Sequence, residues 1–450
     1  MRLPRESPRR GAGGEASTGK AGGKVLRTMR GASIAALAGA MVALSAVSAV
    51  SAAPAPRTER VTLTATGEQG DGESYGPEFS SDGRSAVFTS YASNLVPGDT
   101  NGYADVFVRD LRDGTVERVS VGSDGTQADM PSSAQAISAD GRYVVFRSNA
   151  RNLVHWDEPP ANDAADDIYL HDRRTGDTER ISVGFDGGSA FAAGATMSAD
   201  GRYIAFNAKA DRMESGARDL FGVVYVHDRR TGSTERVSNR DRPDNPALLQ
   251  DLSADGRYVA YTQLVPRSGN GVTWVHDRRT GTEERVTVTP DGTPTPYYAM
   301  PASLSADGRT IAFHYTADDL VPGDAPADAS DLYVRDLRTD VTRRVDPGPD
   351  GESRPGQPLL SRDGRYLVYT ADPRLADGRT GPANVYLRDL LTGGTTLVSA
   401  SVTGGPVTDT SVSASSVSAD ARRIGLASAS AQLVPDDTNG LYDGFVRRVR

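Results

Sequence analysis

Short apolar runs of β-branched and aromatic residues recur along this chain, each cut off by polar turn residues before it reaches helical length. One series reads Ala86-Val87-Phe88, Val144-Val145-Phe146, Ile204-Ala205-Phe206, Val259-Ala260-Tyr261, Ile311-Ala312-Phe313 and Leu367-Val368-Tyr369. A second series follows it, from Asp105-Val106-Phe107-Val108-Arg109-Asp110 through 167–172, 223–228, 272–277 and 331–336 to 384–389. Runs of this composition and length predict strands. Turn signals stand between them in constant order. Ser-x-Asp-Gly-Arg precedes the first run, a Thr-Gly or Asp-Gly pair follows the second, and a Thr-Glu-Arg-Val-Ser type strand leads to a further Asp-Gly. Asp-Gly supplies the positive φ that tight hairpins demand.

The first signal occurs seven times in close variants. Its aspartates are Asp82, Asp140, Asp200, Asp255, Asp307, Asp363 and Asp420, at intervals of 52 to 60 residues. Self-similarity at such a period means one supersecondary unit repeated, not one large core. Three hairpin connections join four antiparallel strands, a to d, in every unit. The expected fold is all-β, a seven-bladed β-propeller of four-stranded antiparallel blades, because radial closure removes the exposed edges of a long sheet array. The last unit offers strands b (423–427) and c (444–449) and then the sequence stops, whereas Thr58-Glu59-Arg60-Val61-Thr62 reads as a strand d standing before the first strand a. The seventh blade is therefore expected to close by pairing of the N- and C-terminal strands.

At this level of detail the unit Ser-x-Asp-Gly-Arg-x-x-x-Phe, followed by Tyr-Val-x-Asp, resembles the propeller repeat of the exported bacterial TolB-like proteins. The likeness runs over residues 57–450. It implies the repeat fold and export from the cytoplasm. TolB's own propeller has six blades, where seven units are counted here.

The first 52 residues read as a signal peptide ahead of a single propeller spanning 53–450. Residues 1–30 carry eight Arg or Lys and two Glu, residues 32–50 are apolar and small, and Val50-Ser51-Ala52 offers a small-residue cleavage site. Met29-Arg30 would begin a shorter signal, and the other reading of the apolar stretch is an uncleaved anchor. Cysteine is absent, which excludes a disulfide framework, a thiol nucleophile and a lipid-anchored signal. The whole chain has a formal charge of −9, and without residues 1–52 it holds 42 basic against 57 acidic side chains, a net −15. Such a balance argues against a nucleic-acid surface. The expectation is an exported monomer, secreted or in the cell envelope.

An a-b-c-d meander puts the a-b and c-d turns on one face and the b-c and d-a loops on the other. The a-b and c-d turns are short, whereas the b-c loops differ, as 262–271 does from 147–166. Variation on a rigid scaffold is where recognition resides. The b-c and d-a face is thus the candidate binding face for a protein or glycan partner, with Trp156 and Tyr298 as aromatic contacts. Two b-c loops share Asp-x-Asn-Gly-x-x-Asp, at Asp99, Asn101 and Asp105 and at Asp437, Asn439 and Asp443. Hard oxygen ligands on a tight turn suit Ca2+, the one cofactor considered; the other reading is that Asp and Asn cap their own turns. Related loops at 324–331 and 157–167, with Asp318 and Asp319, extend an acidic rim.

A carboxylate repeated seven times is a turn residue, not a catalytic one, and its following arginine is expected to reach a neighbouring blade. Ala421 replaces the glycine in the seventh unit, so that turn is expected to differ in type. Of the five histidines, His171, His227 and His276 take the strand-c position of Arg109, Arg335 and Arg388. They read as interchangeable surface residues, in different blades and far from the axis, too widely spread to share a metal; His155 and His314 are the other two. Small residues on strand a (132–134, 192–194, 413–415) let seven inner strands crowd the axis and leave no acid, base and nucleophile together. A hydrolase domain is not expected either, on the reading that the chain has no Gly-x-Ser-x-Gly nucleophile elbow. The reading is a non-catalytic, exported propeller acting as a binding scaffold, with a glycan-active, lyase-like propeller enzyme as the alternative.

Overall fold

The computed structural model describes residues 57–449 apart from 156–164, 239–244, 266–269, 296, 298, 318, 323–330, 346–354 and 373–379. Trp156, Tyr298, Asp318, most of the two acidic loops and the whole expected signal segment thus lie outside the described residues. Seven four-stranded antiparallel sheets account for nearly all of the rest, one per repeat, in a seven-bladed β-propeller. Blade 1 runs from the inner strand Ser74–Phe79 through Ser85–Ser90 and Asp105–Asp110 to the outer Val116–Arg118. Blades 2 to 6 begin at Ser132–Ile137, Ala193–Met197, Ala247–Leu252, Ala302–Leu304 and Leu359–Leu360. Blade 7 takes Ser413–Val417, Arg423–Ser428 and Asp443–Arg448 from one end of the chain and Arg57–Arg60 from the other. Arg57 lies opposite Arg448 and Arg60 opposite Phe445, so the terminal-strand closure holds.

The repeated motif explains itself in the a-b turns. In all seven, the serine hydroxyl donates to the aspartate at 2.6–2.8 Å, and the aspartate accepts the backbone N–H of the arginine at 3.0–3.1 Å. The glycine does two things. It takes a φ of 64–73° in six blades, and at Gly201, Gly256 and Gly308 a Cβ would stand 2.4, 2.3 and 2.2 Å from the rings of Tyr143, Tyr203 and Tyr258 in the preceding blade. Ala421 corrects one expectation: it keeps the same turn, at φ 51°, with Ser418 and Asp420 bonded as elsewhere. A side chain in that region costs roughly 1 kcal/mol, less than remaking the turn. The arginine corrects another, because Arg142, Arg202, Arg257 and Arg365 pair with Asp172, Asp228, Asp277 and Asp389 of their own blades. The side chain that crosses to a neighbour is the one after strand c: Arg173, Arg229 and Arg278 reach Glu117, Glu179 and Glu235 on the preceding outer strands.

Apolar residues pack in seven clusters among the described residues, one between each pair of adjacent blades, including Val61 and Val446 against Ala86 and Phe88 across the closure. Within blades the aromatic positions of strands b and c face each other. Phe88 stacks on Phe107, Phe146 on Tyr169, Phe206 on Tyr225, Phe313 on Tyr333 and Tyr369 on Tyr386, with centroids 5.6–6.1 Å apart. Such directly opposed pairs are the unit of sheet stabilisation.

Around the axis, inner strands are stitched to their neighbours by side-chain acceptors. Ala134, Ala195, Leu249, Ala302 and Leu360 donate backbone N–H groups to Thr89, Gln135, Asn207, Gln250 and Ser303 of the preceding blade at 2.9–3.1 Å. The blade 7 to blade 1 link is reversed in chemistry, Ser415 and Ser416 hydroxyls both donating to the Pro77 carbonyl at 2.6 Å. In blade 4, strands Tyr258–Val265 and Asn270–Asp277 run on until only 266–269 separate them, so that loop is shorter than its sequence suggested.

Candidate functional site

The structure gathers the two Asp-x-Asn-Gly-x-x-Asp loops at blades 1 and 7, and in each an arginine from the outer strand enters the cluster. Arg60 Nη2 stands 2.8 Å from Asp437 and its Nε 3.3 Å from Asp443, with side-chain exposures of 5%, 2% and 0%. Arg118 Nη1 stands 3.6 Å from Asp99 and 3.8 Å from Asp105. Amides complete the sets. Gln127 donates to both Asp99 and Asp105 at 2.8 Å, Asn101 donates to Asp105 at 3.1 Å, and Asn439 donates to Asp443 at 3.2 Å. Burial pushes the carboxyls of Asp105 and Asp443 up, against the hydroxyl and guanidinium contacts that pull them down.

Asp105 and Asp443 also belong to a repeated clamp. Each accepts a hydroxyl from the residue two past the end of the outer strand, Ser120 or Thr62, at 2.6 Å, just as Asp167 accepts Ser182 and Asn384 accepts Ser399. Asn101 and Asn439 cap their own turns, accepting the N–H of Tyr103 and Leu441. As they stand, these carboxylate oxygens face a guanidinium, and a calcium ion would have to displace it. Among the described residues no group of three or more His, Asp or Glu side chains is disposed to hold a metal ion.

What these loops display is aromatic. Tyr442 immediately precedes Asp443 and stacks on Tyr75 of the blade 1 inner strand, with centroids 5.6 Å apart and ring planes 28° apart. The Ser74 N–H donates to the Tyr442 carbonyl at 2.7 Å, which ties the stack across the seam. Tyr91 and Tyr103 lie on the adjoining loop at 54% and 40% exposure, and Tyr75 is 41% exposed. The Tyr75 hydroxyl donates to Glu73, which pushes the phenol up to about 12. No apolar periodicity announces these tyrosines; only Tyr103 and Tyr442, close after the turn-capping Asn101 and Asn439, carried a mark in the sequence.

Contrary to the expectation that the chain has none, the seam contains a Gly-x-Ser-x-Gly string, Gly72-Glu73-Ser74-Tyr75-Gly76. It is no nucleophile elbow. Ser74 is fully buried at the start of an inner strand and shares a hydrogen bond with Ser90 at 2.8 Å.

Two acids were missed near the axis. Glu78 and Asp251, each two residues ahead of its turn serine, sit on the inner strands of blades 1 and 4. Burial, with Asp251 as a further negative charge, pushes Glu78 up to about 8. Burial also pushes Asp251 up to about 6, although it accepts the Leu304 N–H at 2.8 Å. The axis is thus less bland than its small residues suggested. The histidines need correcting too: His171 and His276 are buried, not surface, and His171 and His227 pair with Thr178 and Thr234 at 2.9 Å.

These features define a seven-bladed propeller with short turns on one face and varied, aromatic loops on the other. No family model and no curated protein matches the chain. Solved structures do. TolB from Acinetobacter baumannii is 17% identical over 71% of this chain and 61% of its own, with a TM-score of 0.38. The chain thus spans about six tenths of that protein's length. Oligogalacturonate lyase from Vibrio parahaemolyticus is 13% identical over 88% of this chain and 97% of its own, with a TM-score of 0.54. The β-propeller domain of the Trilobed protease from Pyrococcus furiosus is 12% identical over 79% and 89%, with a TM-score of 0.49. The likeness to TolB implied by the repeat is present, and at these identities it is one of fold. The expectation that the chain is not an enzyme is withdrawn, because oligogalacturonate lyases share its fold. The fold leaves catalysis open.

Proposed function

We propose that this chain is an exported propeller whose b-c and d-a face binds a partner outside the cytoplasm. One observation carries the reading. Of eleven exposed large apolar side chains among the described residues, nine lie on the b-c and d-a face, and these include all six aromatic ones: Tyr75, Tyr91, Tyr103, Phe185, Phe221 and Tyr297. Val341 and Leu391 alone lie on the other face. Exposed aromatic residues on one side of a rigid scaffold are the composition of an interaction surface.

Export supports the same reading from the sequence, since residues 32–50 and Val50-Ser51-Ala52 suit a cleaved signal. The test has two parts. Mass spectrometry of protein from the culture medium or envelope should find a mature N-terminus at residue 53. Tagged protein should capture the same partner set after Thr231→Ala, while Tyr103→Ala combined with Phe221→Ala should lose it at unchanged melting temperature. Capture that survives the aromatic changes would remove the face from consideration.

A further inference from the structure

On its short-turn face this protein builds one arrangement repeatedly: a tyrosine ring, a guanidinium over it, and a carboxylate bonded to that guanidinium. Tyr143 has Arg142 and Arg229 at 4.5 and 4.4 Å from its centroid, and these bond Asp172 and Glu179. Tyr203 has Arg202 and Arg278, both at 4.4 Å, bonded to Asp228 and Glu235. Tyr258 and Tyr366 have Arg257 and Arg365 at 4.6 and 4.8 Å, bonded to Asp277 and Asp389.

The seam between blades 7 and 1 holds two of the three parts, exposed except for the half-buried Tyr442. Its rings are Tyr75, Tyr442 and Tyr91; its carboxylates are Glu73, which accepts the Tyr75 hydroxyl, and Asp71, which accepts the Ser93 N–H and hydroxyl at 2.6 and 2.8 Å. Among the described residues no cation lies over these rings, and neither Asp71 nor Glu73 enters an ion pair. Resting on the reading that this face binds a partner, we propose that the seam docks an arginine-bearing polypeptide segment, whose guanidinium stacks on the tyrosines and bonds the two carboxylates.

Charge and geometry favour that occupant. A planar guanidinium stacks on a ring while its edge donates sideways to a carboxylate, which an ammonium does not match. The mature sequence carries a net −15, so its field draws basic segments in and repels uronates and other acidic chains. Tyr and Arg are also the residues in which interface energy concentrates.

The test uses the mature chain and two labelled peptides, Gly-Ser-Arg-Gly-Ser-Arg-Gly-Ser and its lysine counterpart, followed by fluorescence anisotropy at several salt concentrations. The arginine peptide should bind more tightly than the lysine one. Tyr75→Ala and Tyr442→Ala should each weaken it about two- to five-fold, the range of an exposed cation–π contact. Glu73→Gln should weaken it and flatten its salt dependence, whereas Leu391→Ala on the other face should change nothing. If Tyr75→Ala lowers the melting temperature, Tyr91→Ala replaces it. Equal binding of both peptides, insensitive to the tyrosines, overturns the proposal, and so does tyrosine-dependent binding of cellohexaose or chitohexaose without the arginine peptide. A partner that maps to Tyr103 and Phe221 but ignores Tyr75 and Tyr442 would overturn it while leaving the binding face standing.

Discussion

Arg60→Ala should destabilise the ring at the blade that both ends of the chain share. Arg60 lies on the four-residue strand that closes blade 7, and its guanidinium is the cation facing Asp437 and Asp443, both almost wholly buried. Removing it leaves two buried carboxylates without their cation, and breaking a buried pair from one side costs about 3–5 kcal/mol. A propeller of this length unfolds with an entropy of about 0.8 kcal/mol per degree if it melts as one unit, so the expected fall in melting temperature is about 4–6 °C. Arg57 provides the control, since it is 76% exposed and only 3.6 Å from Glu59. Such a surface pair is worth under about 1 kcal/mol, so Arg57→Ala should move the melt by about a degree at most. Differential scanning calorimetry reads both. Adding Asp443→Asn to Arg60→Ala should recover part of the loss, because it removes one of the stranded charges. Equal melting of the Arg60 and Arg57 variants would refute the clasp.

Three further outcomes follow. Millimolar calcium against chelator should stabilise Arg60→Ala and Arg118→Ala more than the parent, because a calcium ion at either loop must replace the guanidinium; equal shifts in thermal melts would remove calcium from these loops. Glu78, held up to about 8, keeps its proton in the folded state while the unfolded chain loses it above its ordinary value of 4.5. Glu78 should therefore contribute a fall in stability as pH rises from about 5 to 8, roughly 1–3 kcal/mol after discounting for solvent screening, and Glu78→Gln should make the fall smaller, leaving the part due to Asp251; superimposable pH profiles would contradict it. Gly256→Ala should cost about 2–4 kcal/mol through positive φ and the Tyr203 ring together, more than the roughly 1 kcal/mol expected from φ alone, as read by chemical denaturation.

Fold was legible because each repeat states its own turns. Asp-Gly fixes a hairpin locally, seven copies fix the blade count, and the stray Thr-Glu-Arg ahead of blade 1 reveals the closure. What crosses between repeats was harder to read. Sequence alone assigned the inter-blade contact to the arginine of Asp-Gly-Arg, yet the arginine after strand c makes it in three blades, since that side chain stands at the outer strand of the preceding blade. His171 and His276 looked superficial because they alternate with arginine, but Arg335 at the same position is itself buried. The seam escaped notice for a similar reason. Tyr75 and Tyr442 are 367 positions apart and meet only because the ring closes, and Arg60 reaches its loop from the opposite end of the chain.

The central claim is that the b-c and d-a face docks the partner, and site-resolved photo-crosslinking in the producing cells tests it most directly. A photoreactive residue placed at Tyr91, Tyr103 or Phe221 should give a discrete adduct with one partner. The same residue at Thr231 or Leu391 on the opposite face should give none. Adducts formed only from Thr231 or Leu391, or equally from every position, would contradict the account.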